Sequence, residues 1–379
     1  MAFRGGTAMT ISVIVPMYRG KKYLHNILEQ VDRCSKSVQN SNIELILYND
    51  YPDERIDVVE TGYNFEIKVI NPGFNSGIHG ARVNALTYAI GEYVLFLDQD
   101  DKIESTYFVS QMKCIGDADA VVCRAIHNNR FHYTNSHVFE NVISKEFMLN
   151  NWCPIVSPGQ VLIKTSSIPR IWKEDIMTIN GCDDYFLWLL MVSENKEFAL
   201  NQEVLFEHVV TDINASHDTN KMMDSEMEMI TLLKKNKVFS GEDKDALESL
   251  PLSLRRIHIK ELDNYKKAYL FLQQWHNQIN KGKNPFSFFE KNNIKKIAIY
   301  GAGDLGRNLQ LLLISGGIDV KCFIDQNAEY IISDIPVCKK EDIPKEIEGV
   351  ILTIDVPGLK RELEHLMGNI VYDIHDLLK

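Results

Sequence analysis

At 379 residues, with 45% hydrophobic residues and mixed charge, the chain is long enough to fill two globular cores. A formal net charge of -11 excludes general nucleic-acid binding, which depends on clustered Lys and Arg. Seven scattered cysteines without a C-x-x-C pair exclude a disulfide framework and a thiolate zinc site, and no apolar run reaches the roughly 18 residues of a membrane span.

In chain order, "ISVIVP" predicts a strand, "KKYLHNILEQVDRC" a helix, "IELILY" and "FEIKVI" strands, "SGIHGARVNALTYAI" a helix and "EYVLFL" a strand. This alternation predicts an α/β fold with a parallel sheet and helical crossovers, and such sheets bind ligands beyond the carboxyl ends of their strands. Four of the strands end in polar or turn-forming residues, at Pro16 to Arg19, Asn49-Asp50, Asn71 to Gly73, and Asp98 to Asp101. Strand alternation predicts that Asp98 and Asp100 share a face while Gln99 points away, a pairing suited to a hard divalent cation such as Mn2+ or Mg2+. Asp101 is expected to cap a helix starting near Ile103.

From about Met222 the texture becomes helical, and one amphipathic helix carries Arg255, Arg256, Lys260, Lys266 and Lys267. Such a helix suits packing on its own domain, peripheral contact with a membrane, or pairing in a homodimer. A new strand, turn and helix begin at Ile294, where "IYGAGDLGRN" places Gly301, Gly303 and Gly306 between strand and helix and "VKCFID" ends at Asp325. That context fits a nucleotide-binding turn, with Asp325 where a ribose-binding acid would fall. The expected division is 1-220, an N-terminal α/β domain; 221-284, a helical connector; and 285-379, a small Rossmann-like domain.

The segments "ISVIVPMY", "LILYNDYPDE", "NSGIHGARVNAL", "GEYVLFLDQDD" and "GCDDYFLWL" occur in an order and spacing that resemble the family 2 inverting glycosyltransferases of GT-A fold. The resemblance covers roughly residues 10 to 217. It implies that Pro16 and Tyr18 line a nucleobase pocket, that Asp50 accepts a hydrogen bond from the base, as uracil offers, and that Arg82 faces the diphosphate. Asp98 would contact ribose or sugar, Asp100 would ligate the metal, and His217 or His208 lies where some relatives supply a metal or phosphate ligand. Asp184 is the implied catalytic base, with Asp183 the near alternative. On the acceptor side, Pro158, Gly159 and Gln160 would shape the pocket, and Trp152 is either a core residue or a stacking face for a sugar ring. Departures from the family pattern are Arg19 after Tyr18, the missing Gly-Ser in "NDYPDE", and Val83 in place of Asn. The tail resembles small modules related to nucleotide-sugar epimerases and CoA-binding domains.

The implied activity is metal-dependent, inverting transfer of a sugar from a nucleotide donor, with uridine as the expected nucleoside, to a hydroxyl of a glycan or lipid-linked glycan in surface polysaccharide biosynthesis. The alternatives are an NAD-dependent nucleotide-sugar modifying enzyme centred on the tail, weakened by the lack of a Tyr-x-x-x-Lys pair, and an inactive nucleotide-sugar-binding scaffold. The N-terminal "MAFRGGTAMT" lacks the apolar core of a signal peptide, so the expected location is cytoplasmic, at the inner face of the membrane where the acceptor is lipid-linked.

Overall fold

β-Branched and leucine-rich segments form one half of the first sheet, as their sequence predicts: β1 (Met9–Met17), β2 (Ser41–Asn49), β3 (Glu66–Ile70) and β4 (Tyr93–Phe96). The computed structural model describes residues 9–38, 41–58, 62–132, 136–211, 218–368 and 370–378. The pairs β1/β2, β2/β3 and β1/β4 are all parallel, with α1 (Leu24–Ser37) and α2 (Gly77–Leu86) among the connections. Beyond them come β5 (Lys102–Ile103), α3 (Tyr107–Ile115), β6 (Ala120–His127) and β7 (Arg130–His132). They are followed by α4 (Ser136–Asn141), α5 (Lys145–Asn150), β8 (Val161–Lys164), α6 (Arg170–Glu174), α7 (Asp183–Ser193) and β9 (Phe198–His208). The sheet order is β3-β2-β1-β4-β8-β6-β9-β5, with β7 paired to β6.

Both faces of this sheet are covered, which is why its central strands are apolar throughout rather than alternating. Ile14, Ile46, Val94 and Phe96 face Ala81 and Ala85 of α2, Trp172 of α6 and the residues of α7. Their neighbours Val13, Val15, Leu45, Leu47 and Leu95 face Ile27, Leu28 and Val31 of α1 and Tyr107 and Phe108 of α3. The buried Glu44 is tolerated because its carboxylate is satisfied on every side. Lys68 Nζ donates to it at 2.6 Å, Ile90 N at 2.7 Å, and Ser12 Oγ donates from β1. Burial raises the Glu44 pKa, but these donors outweigh it and hold the group below its ordinary value.

The chain divides into compact units at residues 1–257 and 258–379, so the stretch 221–284 is shared between them rather than forming a connector of its own. Met229, Ile230 and Leu233 of α8 (Thr219–Lys235) and Leu247, Leu250 and Leu254 of α9 (Gly241–Asn280) belong to the first core. Phe271 and Trp275, farther along α9, belong to the second. Their apolar faces draw each part of the helical stretch onto the nearer core. Among the described residues no helix is long and apolar enough to cross a membrane.

The second unit adds α10 (Ser287–Lys291), β10 (Lys296–Tyr300), α11 (Asp304–Ser315), β11 (Asp319–Ile324), β12 (Val337–Cys338), β13 (Gly349–Leu352), α12 (Leu359–Met367) and β14 (Val371–Asp373). Its five parallel strands run in the order β12-β11-β10-β13-β14. Gly301 has φ +101°, a conformation that side chains resist, and a Cβ on Gly306 would run into the Gly301 carbonyl oxygen. Gly306→Ala is therefore expected to destabilise this unit by about 1–3 kcal/mol. Denaturant unfolding of the full chain will show it as an earlier transition, and an unchanged curve would refute it.

Candidate active site

The carboxyl ends of β1, β2 and β4 meet at one edge. Asp50, just past β2, donates its backbone N–H to Met17 O at 2.8 Å. Its Oδ1 accepts Ser76 N at 2.6 Å and Ser76 Oγ at 2.8 Å. The first turn of α2 is thus satisfied by a carboxylate from the neighbouring strand, and burial raises the Asp50 pKa. Oδ1 of Asp50 is thus committed to the helix start. Pro16 is buried within β1, whereas Tyr18 is 46% exposed beyond its end. Tyr51, a residue the sequence did not single out, meets the Tyr18 ring edge-on at 5.2 Å. The Arg19 guanidinium lies 5.6 Å and 5.1 Å from the two ring centroids.

The acidic cluster is a turn, not the end of an extended strand as alternation predicts. Leu97 N makes the last rung to Ile14 O at 2.9 Å, after which Asp101 N closes back on Asp98 O at 3.1 Å. Each residue of the turn then holds a different segment. Asp98 Oδ1 accepts Arg82 Nη2 at 2.5 Å. Gln99 pairs its side-chain amide with the Tyr18 main chain. Asp100 Oδ2 accepts Thr211 Oγ1 at 3.3 Å, and its pKa is raised by burial and by the charge of Asp98.

Asp101 does not cap a helix, since α3 begins only at Tyr107 after Thr106. Its carboxylate instead accepts Ser157 Oγ at 2.8 Å and Val209 N at 3.0 Å, with His208 Nδ1 at 3.1 Å. Burial and the Asp98 charge raise Asp101 well above the carboxylate range. Burial, helped by the stacked His127 ring 5.0 Å away, pushes His208 down to about 4, so the imidazole beside Asp101 is neutral at pH 7.

α7 is apolar on nearly every side, from Tyr185 to Val192, and its burial fixes the position of the two aspartates in its first turn. Arg82 of α2 reaches both the acidic turn and this helix. Its Nη1 donates to Asp183 Oδ2 at 2.6 Å while Nη2 holds Asp98. Burial opposes the Arg82 charge, but Asp183, Asp98 and Asp184 outweigh it and hold the group above its ordinary pKa. Its terminal nitrogens therefore face carboxylates, where the resemblance puts a diphosphate. Asp184 is pushed up to about 7 by burial and by the adjacent Asp183 charge.

His79, one helical turn before Arg82, serves packing. Its Nδ1 accepts Met177 N at 2.9 Å, which leaves Nε2 to donate to Trp172 O at 2.9 Å. Trp172 in turn donates Nε1–H to Asp183 O at 2.8 Å and helps seat α7.

On the proposed acceptor side the two expected residues separate. Trp152 is no core residue: it is 42% exposed and rests edge-on against Phe147 at 5.0 Å. Gln160 is fully buried, its Oε1 accepting Val156 N at 2.7 Å and its Nε2 donating to Cys123 O at 2.9 Å, so its amide shapes the loop from within. Pro158 and Gly159 are buried in the same turn. His217 lies outside the described residues. Arg82, Asp98 and Asp183 are thus joined directly, with Asp100 and Asp184 beside them.

In the second unit Gly303 precedes α11 and Gly306 lies inside its first turns. Asp325 Oδ2 accepts Ala302 N at 3.2 Å, and Oδ1 accepts Asn327 N at 3.0 Å. The acid after β11 is thus hydrogen-bonded to the glycine turn.

Residues 12–171 match the sequence profile of Glycosyl transferase family 2. The chain is 23% identical over 220 residues to the minor teichoic acid biosynthesis protein GgaB of Bacillus subtilis (strain 168), an alignment covering 54% of this chain and 23% of GgaB. It is 26% identical over 208 residues to WfgD of Escherichia coli, a UDP-Glc:alpha-D-GlcNAc-diphosphoundecaprenol beta-1,3-glucosyltransferase, covering 50% of this chain and 73% of the relative. Among solved structures, S. aureus TarS 1-349 in complex with UDP-GlcNAc aligns at 16% identity with a TM-score of 0.46, over 64% of this chain and 71% of that one. Residues 12–171, which bring Tyr18, Asp50, Arg82, Asp98 and Asp100 to one sheet edge, are thus similar to Glycosyl transferase family 2, over fewer than half of the 379 residues.

Proposed function

We propose that the chain is a divalent-metal-assisted, inverting glycosyltransferase that moves a sugar from a uridine diphosphate donor to a hydroxyl of a glycan or lipid-linked glycan in surface polysaccharide biosynthesis. The observation that carries this reading is the Arg82 fork, which joins the acidic turn to the aspartate pair of α7 in a chain whose residues 12–171 are similar to this family. Asp98 and Asp183 share the Arg82 guanidinium while Asp100 and Asp184 stand beside them, an excess of acidic groups over cations that suits a metal ion. Among the described residues no group of three or more His, Cys, Asp or Glu side chains is arranged to hold a metal ion. Asp98 and Asp100 offer oxygens of the kind Mg2+ and Mn2+ take when substrate phosphates complete the shell. Such an ion would neutralise charge on the departing diphosphate.

The chain's own groups supply the rest. Asp184 takes the proton of the acceptor hydroxyl, whose oxygen bonds to the anomeric carbon as the bond to the diphosphate oxygen breaks on the opposite face. Tyr18 and Tyr51 offer ring faces to the nucleobase, and Trp152 offers one to the acceptor sugar. A lipid-linked acceptor, as named for WfgD, would put the reaction at the inner face of the membrane. For the second unit we propose a Rossmann-like module with a nucleotide turn at Gly301, Gly303, Gly306 and Asp325, supported by its parallel sheet and the strand-turn-helix that carries them.

A donor panel with Mn(II) tests the main reading. One UDP-sugar is expected to raise the thermal unfolding temperature and be hydrolysed or transferred. Asp100→Ala is expected to abolish both metal-dependent effects. Absence of binding and turnover across the panel would sink the proposal.

A further inference from the structure

The turn of acidic residues and the aromatic wall at Tyr18 are held together by one side chain. Gln99 Oε1 accepts Tyr18 N at 3.1 Å, and Gln99 Nε2 donates to Tyr18 O at 3.0 Å, so the amide reproduces the two bonds of a strand pair. Sequence and geometry both make room for it. A Cβ on Gly20 would run into Gln99 Oε1, and Arg19 between them has φ +50°, a conformation a non-glycine residue adopts only when its surroundings impose it. The Tyr18 main chain in turn sets where its ring stands against Tyr51 and Arg19.

We propose that Gln99 is a positioning residue that couples cation binding at Asp98 and Asp100 to nucleoside binding at Tyr18, an inference that rests on the nucleotide-sugar reading above. Gln99 lies between the two carboxylates in the chain, so a movement of that pair is shared by its backbone. Without a cation the two like charges oppose each other, and a bound cation draws them together. Through its two hydrogen bonds Gln99 passes that change to the main chain of Tyr18. The consequence is reciprocal: the cation tightens nucleoside binding by the same factor as the nucleoside tightens the cation.

The discriminating probe is uridine, which has no phosphate to touch the cation directly. Calorimetric titration of the full chain is expected to show Mn(II) tightening uridine about fivefold or more, the lower range of such couplings. In Gln99→Met, which keeps the shape and removes the amide, that factor falls to about one, while UDP binding stays metal-dependent through its own phosphates. Gly20→Ala, which displaces the amide from the other side, is expected to do the same, and the double variant to add nothing further. Thermal unfolding confirms that each variant is folded. An unchanged factor in folded Gln99→Met, or no Mn(II) effect on uridine in a wild type that does bind UDP with Mn(II), overturns the coupling alone. A wild type that binds neither UDP nor Mn(II) overturns the nucleotide-sugar reading and the coupling with it.

Discussion

Asp184→Asn lowers kcat by about 10²–10⁴, the usual contribution of a positioned general base, and makes the protein more stable at pH 8. The two effects have one cause. Burial and the Asp183 charge push Asp184 up to about 7, so the wild type holds this carboxylate ionised against its surroundings above that pH. A base must be ionised to act, so wild-type kcat/KM is expected to rise with pH and level off above about 7. The stability term runs the other way. A carboxyl whose folded value lies above the ordinary 3.9 or so favours the fold fully at low pH and loses that contribution as pH rises through about 7. The asparagine variant therefore gains on the order of 1 kcal/mol or more at pH 8, and the gain disappears below about pH 4. Asp183→Asn separates the pair, because it removes a partner of Arg82 and is expected to destabilise instead. A pH–rate profile with the accepted donor, beside thermal unfolding at pH 5 and pH 8, checks both. If Asp184→Asn keeps full activity, Asp184 is not the base.

Periodicity made the parallel core legible: β1, β2, β3 and β4 and the helices α1 and α2 fall where apolar runs and helical spacing put them. What sequence could not show is where a polar side chain goes once distant segments meet. Arg82, read alone, is a helix residue with a cationic fork, and its bridge from Asp98 to Asp183 exists only because α2 and α7 cover the same face of the sheet. Asp101 has the residue type of a cap, but the chain turns back at Asp98 before any helix begins and buries its carboxylate against Ser157 and Val209. The exposures of Trp152 and Gln160 have a similar cause. The 3-10 turn at Pro158–Gln160 directs the amide inward, while Trp152 rests on the exposed side of Phe147. Gly20 was the one local signal for the Gln99 contact, a small residue after a strand end, and its meaning required the partner to be in place.

Arg82→Met is expected to cost about 3–5 kcal/mol of stability, the range measured when one partner of a buried ion pair is removed. Arg82 is 2% exposed, and its loss leaves Asp98 and Asp183 facing each other and Asp184 without a counter-charge. Lysine does not restore the site. Its ammonium is a single point where the guanidinium holds two carboxylates at once, at 2.5 Å and 2.6 Å, so Arg82→Lys should fall between wild type and methionine. A double-mutant cycle tests the cause. With Asp183→Asn in place, Arg82→Met should cost clearly less than it does alone, because one of the stranded charges is already gone. Equal costs in both backgrounds would mean that Arg82 stabilises through its aliphatic stem rather than through the bridge. Activity adds a second readout. The bridge ties the first turn of α7 to the acidic turn after β4, so breaking it moves Asp184, the proposed base, relative to the proposed donor side. Arg82→Lys should therefore lose far more in kcat than in donor binding, even at temperatures where it remains folded.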